Sequence, residues 1–496
     1  MNTLKSLYRL LSRKRLRKIE VLSDEAGKSS SQALKFYRLL SQANIETDDD
    51  LAMALFGKKP DDQFRMLKKR VKALMMNNAF FLDMEKTGFP PRLKKMHECS
   101  RNLHVVKMLI FTGNIKGALE IAEATLPAAL KFELWNEAIP LLGYLKSIAS
   151  SQHDRKKYKN YVLLLENAMN AQQADYRADI LKTDLELDMR TPGAVPSAQS
   201  EKALKSAGII EESLKHQKTF HSNYIYLLLK KYAFTLADEY DAASVAIKEM
   251  QGLFESRPTF VSPEHWSDLY SSKLYVALYQ ADYALARSAA KKGIAITPKD
   301  GMMWFVFHRY YFLVLMHAED YKEALNINNE ILNHPDLKNQ IEANKEEWQI
   351  YSGYGHLAQN IFLHGSSQNK LRIHKLLNEI IIYRNNKEGL HVAVLVLEVL
   401  YYLMNKELSK ITDRIEAFRQ YKKRNLKIAE TTRVRVFIDL LILAEKNSFN
   451  KEKTAKSSIG LLKQLREIPR GPQGNIENIE IIPFERLWPW VVDQLV

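Results

Sequence analysis

His97, Glu98 and Cys99, with His104 close behind, form the densest group of residue types in the chain that could ligate a metal or attack an electrophile. A helical zinc-protease site sets two histidines four residues apart on one face with a glutamate beside the first; here the second histidine follows at seven. A thiol nucleophile needs a histidine brought beside it by the fold, and without one Cys99 reads as an inert buried residue among surface histidines. Gly353-Tyr354-Gly355 opens like a nucleotide loop, but no Gly-Lys-Ser/Thr follows and no strand precedes, so it reads as small residues inside a packed helix. Glu346-Glu347 and Glu211-Glu212 sit in polar helical stretches and read as solvated faces. No hydrolase elbow, kinase motif set or dinucleotide fingerprint is present. The sequence therefore predicts no catalytic residue, no metal and no cofactor.

The elements that would position any site are helical. Apolar residues recur three and four apart in nearly every long segment, as around Leu227, Leu228, Lys231, Tyr232 and Phe234, and the one extended candidate, Ile479 to Ile482, is too isolated to build a sheet. Pro258, Pro298 and Pro335 punctuate the middle of the chain at intervals of 40 and 37 residues, and proline stops helices because it lacks an amide donor. Between these stops a phrase recurs: Glu239-Tyr240-Asp241-Ala242-Ala243, Asp282-Tyr283-Ala284-Leu285-Ala286 and Asp320-Tyr321-Lys322-Glu323-Ala324. The acid favours a helix start, the aromatic fills the crease between paired helices, and the last alanine permits close backbone approach. A weaker copy stands at Asn114-Ile115-Lys116-Gly117-Ala118.

This phrase resembles the tetratricopeptide repeat, most closely between Asp268 and Pro298, where Ala277, Tyr283, Ala286, Ala290 and Pro298 fall in the family's order. The early Trp-Leu-Gly signature is replaced by Tyr270 and Leu274 without a glycine, and the unit exceeds the usual length of about 34 residues. The resemblance implies an all-α fold, a right-handed superhelix of antiparallel hairpins forming a tetratricopeptide-like α-solenoid. It also implies a concave partner surface built by the first helix of each hairpin, carrying Tyr232, Tyr275, Tyr279, Arg309 and His317. Aromatic and arginine side chains suit anchoring of a protein or peptide partner.

The N-terminal portion has a different character. Residues 1–110 hold 23 Lys/Arg against 12 Asp/Glu, most of the net charge of +15. Asp48, Asp49 and Asp50 lead into Leu51 to Phe56, a short helix stopped at Gly57, and Pro60-Asp61-Asp62 starts a longer one. On the longer helix Phe64, Leu67, Val71 and Leu74 make an apolar stripe, and Arg65, Lys68, Lys69 and Lys72 a basic stripe rotated away from it. The pattern resembles a helix-turn-helix or winged-helix module, which implies DNA contact by the basic face; the alternative is a solvated face at the start of the helical array. Further upstream, Arg13, Lys14, Arg15, Arg17 and Lys18 accompany Leu4, Leu7, Leu11, Leu16 and Ile19, an amphipathic helix suited to packing, to nucleic acid or to an anionic surface.

Hydrophobic residues at 46% and charged residues at 26%, with only 18 Gly and 15 Pro, describe a folded, helix-rich chain. One cysteine excludes an intramolecular disulfide, and no apolar run approaches the roughly 18 residues that span a bilayer, so a soluble, cytoplasmic protein is expected. The expected organisation is a basic region 1–110, a first helical segment 111–190, a main repeat segment 201–468 and a C-terminal cap 476–496 that holds Trp488 and Trp490. The expected activity is that of a non-enzymatic scaffold or adaptor binding a protein or peptide partner. The alternative is a nucleic-acid-binding regulator using residues 1–110.

Overall fold

The apolar spacing of three and four folds into 21 α-helices among the described residues, with no strand. The computed structural model describes residues 4–5, 8, 30–42, 45–79, 84, 89–191, 195–339, 342–363, 390–425, 433–468 and 480–496. The chain divides into two units, 1–172 and 173–496, and the division falls inside the helix Arg155–Met189. No helix among the described residues is long and apolar enough to cross a membrane. At the isolated extended candidate, Ile481 and Ile482 form a bend and are wholly buried.

In the first unit α1 (Ser30–Leu39) packs on α2 (Asp48–Phe56) and α3 (Asp62–Ala79). Their core gathers Ala33, Phe36, Leu51, Phe64, Leu67, Val71 and Met75. A second core in this unit joins α4 (Pro91–Phe111), α5 (Ile115–Lys131) and α6 (Trp135–Ser151), with Cys99, Leu103 and Val106 against Ala118 and Ala122. This hairpin straddles residue 110, where the fall in basic charge suggests a boundary.

The second unit contains the end of α7 (Arg155–Met189), then α8 (Pro196–Leu214), α9 (Phe220–Leu236) and α10 (Tyr240–Ser256), each packed on its sequence neighbour from α8 onward. The chain continues in the same manner through α11 (Pro263–Tyr279), α12 (Tyr283–Ile296), α13 (Met302–His317), α14 (Tyr321–Leu332) and α15 (Glu342–Phe362). After the undescribed residues come α16 (His391–Met404), α17 (Leu408–Asn425), α18 (Arg433–Lys446), α19 (Lys451–Ser457), α20 (Ile459–Glu467) and α21 (Phe484–Gln494). Pro258 and Pro335 each open a short 3-10 turn between α-helices.

One backbone device makes many of these corners. Gly113, Glu133, His153, Asp238, Ala281, Glu319, Lys406 and Ser448 all have positive φ. In each case the residue's own amide donates to a carbonyl three residues back and the next amide to one five back. This is the Schellman ending, which satisfies the last carbonyls of one helix while turning the chain into the next. Five residues past the left-handed position stand Ala118, Ala138, Ala243, Ala286 and Ala324, all fully buried, so the absence of a larger side chain sets how closely the paired helices approach. The tyrosines of the phrase fill the crease: Tyr240 stacks on Tyr279 and Tyr321 on Phe362. The acids do different work: Asp282 accepts from the Leu285 amide at 3.0 Å, whereas Asp320 pairs with Arg287.

The glycines of the nucleotide-loop candidate lie within α15. A Cβ on Gly353 would meet Leu397, and one on Gly355 would meet Leu325, each at 2.6 Å. They admit neighbouring helices rather than a phosphate.

Candidate binding groove

α9 opens on a Thr219 cap and α11 on a Ser262–His265 capping box, and both helices bury one face while turning another toward a shared space. Positions one turn apart reach that space: Lys231, Tyr232 and Thr235 from α9, Ser271, Ser272 and Tyr275 from α11, and Met303, Val306 and Tyr310 from α13. Together with Met189 and Leu236 they line a cavity of about 330 Å³. Val306 also lines a second, smaller cavity with Arg309, Glu347 and Trp348, so the two adjoin along α13.

Each of α9, α11 and α13 contributes one tyrosine to the walls. Tyr275 meets the edges of Tyr310 and Tyr279 at centroid distances of 5.7 and 4.7 Å. Ser271 and Ser272 donate to the Asp268 carbonyl of their own helix, so their hydroxyl protons are already engaged. The Lys231 ammonium lies 3.6 Å from the centroid of the Tyr232 ring, a cation–π contact. Burial pulls its pKa from the ordinary 10.5 to about 8, with the Asp268 and Glu186 carboxylates opposing. Burial likewise drives the Tyr232 and Tyr275 phenols well above their usual range, keeping them neutral donors.

Arg309 approaches Glu347 at 3.5 Å, and its Nε has no hydrogen-bond acceptor. Burial opposes the guanidinium charge, but Glu347 and the neighbouring tyrosines outweigh it, so Arg309 remains cationic. Glu346 and Glu347 are buried rather than on a solvated face, and Glu347 also accepts from Tyr351 at 2.7 Å. The chemistry available is recognition: apolar and aromatic area between a lysine and an arginine.

No family model matches the chain, and no curated protein resembles it significantly.

Among the residues singled out from sequence, Tyr232 and Tyr275 line the main cavity and Arg309 the adjoining one. Tyr279 stands behind Tyr275, packed between it and Tyr240. His317 turns elsewhere, its Nε2 meeting the Glu480 carbonyl at 2.7 Å. Lys231, Val306 and Tyr310 were not legible as site residues, although Lys231 and Tyr310 each adjoin one that was: a cation beside an aromatic is the signal.

At the N-terminal end, Arg65 pairs with Asp62 and Lys68 with Asp48. Lys69 and Lys72 are exposed. Arg13, Lys14, Arg15 and Arg17 lie outside the described residues. Cys99 is buried, and its thiol is pushed up to about 11 by that burial and by Glu98 and Glu137, which leaves little thiolate at neutral pH. Among the described residues no three His, Cys, Asp or Glu side chains gather as a metal site.

Proposed function

We propose that this chain is a non-enzymatic scaffold or adaptor that holds a segment of another protein along the groove beside α9, α11 and α13. The reading rests on one observation: Tyr232, Tyr275 and Tyr310, from the first helices of three successive hairpins, line one cavity, and the next first helix contributes Glu347 to the adjoining one. A tetratricopeptide-like right-handed superhelix would place those first helices on its concave side. Rigid tyrosines lose little entropy on binding, and Arg309, with an unused Nε, supplies direction. A cytoplasmic setting suits a buried cysteine that has no second cysteine to pair with.

The test is a photo-crosslinking residue at Met303 in the full chain, expressed in its native host. One discrete polypeptide should be joined, and the join should vanish when Tyr232 and Tyr275 are both changed to Ala. A pattern unaltered by that double substitution, or identical to that from a probe at the exposed Lys322, removes the groove reading.

A further inference from the structure

Half the circumference of α3 is open to solvent. At about 100° per residue, Phe64, Leu67, Val71 and Met75 fall on one side, in the core with α1 and α2. On the other side Met66, Ala73 and Asn77 run along the middle of an exposed arc, with Lys69 and Lys72 on one flank and Arg70 on the other. The cations differ in what they already hold. Arg65 and Lys68 are engaged by Asp62 and Asp48, whereas Lys69, Arg70 and Lys72 have no acceptor among the described residues.

The base beneath this arc is firmly built. Phe36 stacks on Phe64 at 6.0 Å between ring centroids, tying α1 to α3. The Thr47–Asp50 capping box opens α2, and Gly57, with φ of +68°, closes it. The Asp61 carboxylate accepts from the Phe64 amide at 2.9 Å to start α3, and the Lys68–Asp48 pair joins α3 to α2. A helix held in this way presents its outer arc with little freedom.

We propose that the exposed arc of α3 is a binding site for double-stranded DNA, with the helix lying in the major groove. Lys69, Arg70 and Lys72 would meet phosphates, and Met66, Ala73 and Asn77 would face base edges. The B-form major groove is about 12 Å wide and admits an α-helix of roughly 10–12 Å diameter, whereas the A-form duplex of RNA closes its major groove to side chains. Single strands are gripped by stacking aromatics, and this arc carries none. An acidic protein surface would use the cations and leave the centre idle. DNA uses both, since an amide can pair with adenine and apolar groups can touch the thymine methyl. This site is independent of the groove.

The experiment is fluorescence anisotropy of the full chain with a labelled DNA duplex of roughly 20 base pairs, titrated with salt upward from about 50 mM. Binding is expected at low salt and should fall linearly on a log–log plot. The triple substitution K69Q/R70Q/K72Q should weaken it at least tenfold and make the slope shallower by about 0.9 for each phosphate no longer neutralised, with an unchanged circular dichroism spectrum. Asn77→Ala should keep the slope and alter the preference among duplex sequences. Changing Tyr232 and Tyr275 to Ala should leave DNA binding intact, which separates this proposal from the groove. No binding at low salt, equal binding by the triple variant, or tighter binding of duplex RNA, oligo-dT or polyglutamate would overturn the DNA assignment.

Discussion

Arg433 grips Glu480 through two parallel hydrogen bonds, Nε to Oε2 at 2.6 Å and Nη2 to Oε1 at 2.7 Å. The same guanidinium donates to Glu485 and to the Leu465 and Ile468 carbonyls, so all five of its N–H donors are engaged in a buried setting. Glu480 stands just before α21, whose Phe484 lies flat on Phe437 at 4.1 Å and whose Trp488 donates to Ser458. The last helix therefore closes the apolar core around α16, α18 and α20, and Arg433 fixes where it docks.

Arg433→Ala is expected to lower the unfolding free energy by about 3–5 kcal/mol, because it strands two carboxylates and two carbonyls away from water. Arg433→Lys should recover only part, since one ammonium cannot reproduce a planar fork directed at both carboxylates and both carbonyls. Urea denaturation followed by circular dichroism reads both. A loss under about 1 kcal/mol for Arg433→Ala would mean that apolar packing alone holds the final helix.

Lys231 gives the groove a pH signature. Its pKa in the folded chain is about 8 against an ordinary 10.5, so between those values the unfolded chain binds the proton more tightly. Stability contributed at this site should therefore rise as pH climbs above about 8. The raised tyrosines act oppositely once unfolded phenols ionise near 10, which confines the useful window to its lower part. Lys231→Met should stabilise the protein at neutral pH and flatten the rise on the alkaline side, measured as urea midpoints at neutral and mildly alkaline pH. A variant whose midpoints track the parent at both would place the ammonium in water.

The fold was legible wherever side chains carry the turn. Tyr240, Tyr283 and Tyr321 stand out in sequence because an aromatic at the first helical position must fill a crease, and the alanine three places on must vanish into the partner helix. The corner at Glu133 carries a weaker sequence signature: Leu134 replaces the acid and Trp135 the tyrosine, although Ala138 is buried in the same role. The site was legible only in part. Tyr232 and Tyr275 stand where the tetratricopeptide resemblance implies a concave face and also line the cavity, but His317, implied in the same way, is held by a carbonyl 163 residues away. Glu347 is buried because of Arg309 and Tyr351, partners that its polar sequence neighbours give no hint of.

The recurring corner also predicts a stabilising substitution. A left-handed backbone brings Cβ against the following carbonyl at a cost of about 1–2 kcal/mol for residues other than glycine. Of the eight corners with the Schellman pattern among the described residues, only Gly113 avoids that cost. Ala281, with φ of +59°, has no polar side chain engaged in other work, and it is exposed. Ala281→Gly removes the steric conflict while adding unfolded-chain entropy, and since the native conformation already suits glycine, the first effect should exceed the second. The expected gain is about 0.5–1 kcal/mol, seen as a higher melting temperature. The reverse change at the equivalent corner, Gly113→Ala, should lose a similar amount, because a Cβ there meets no neighbouring atom and only the backbone strain is added. If both substitutions lowered the melting temperature, the left-handed corner would not be what limits stability at these turns.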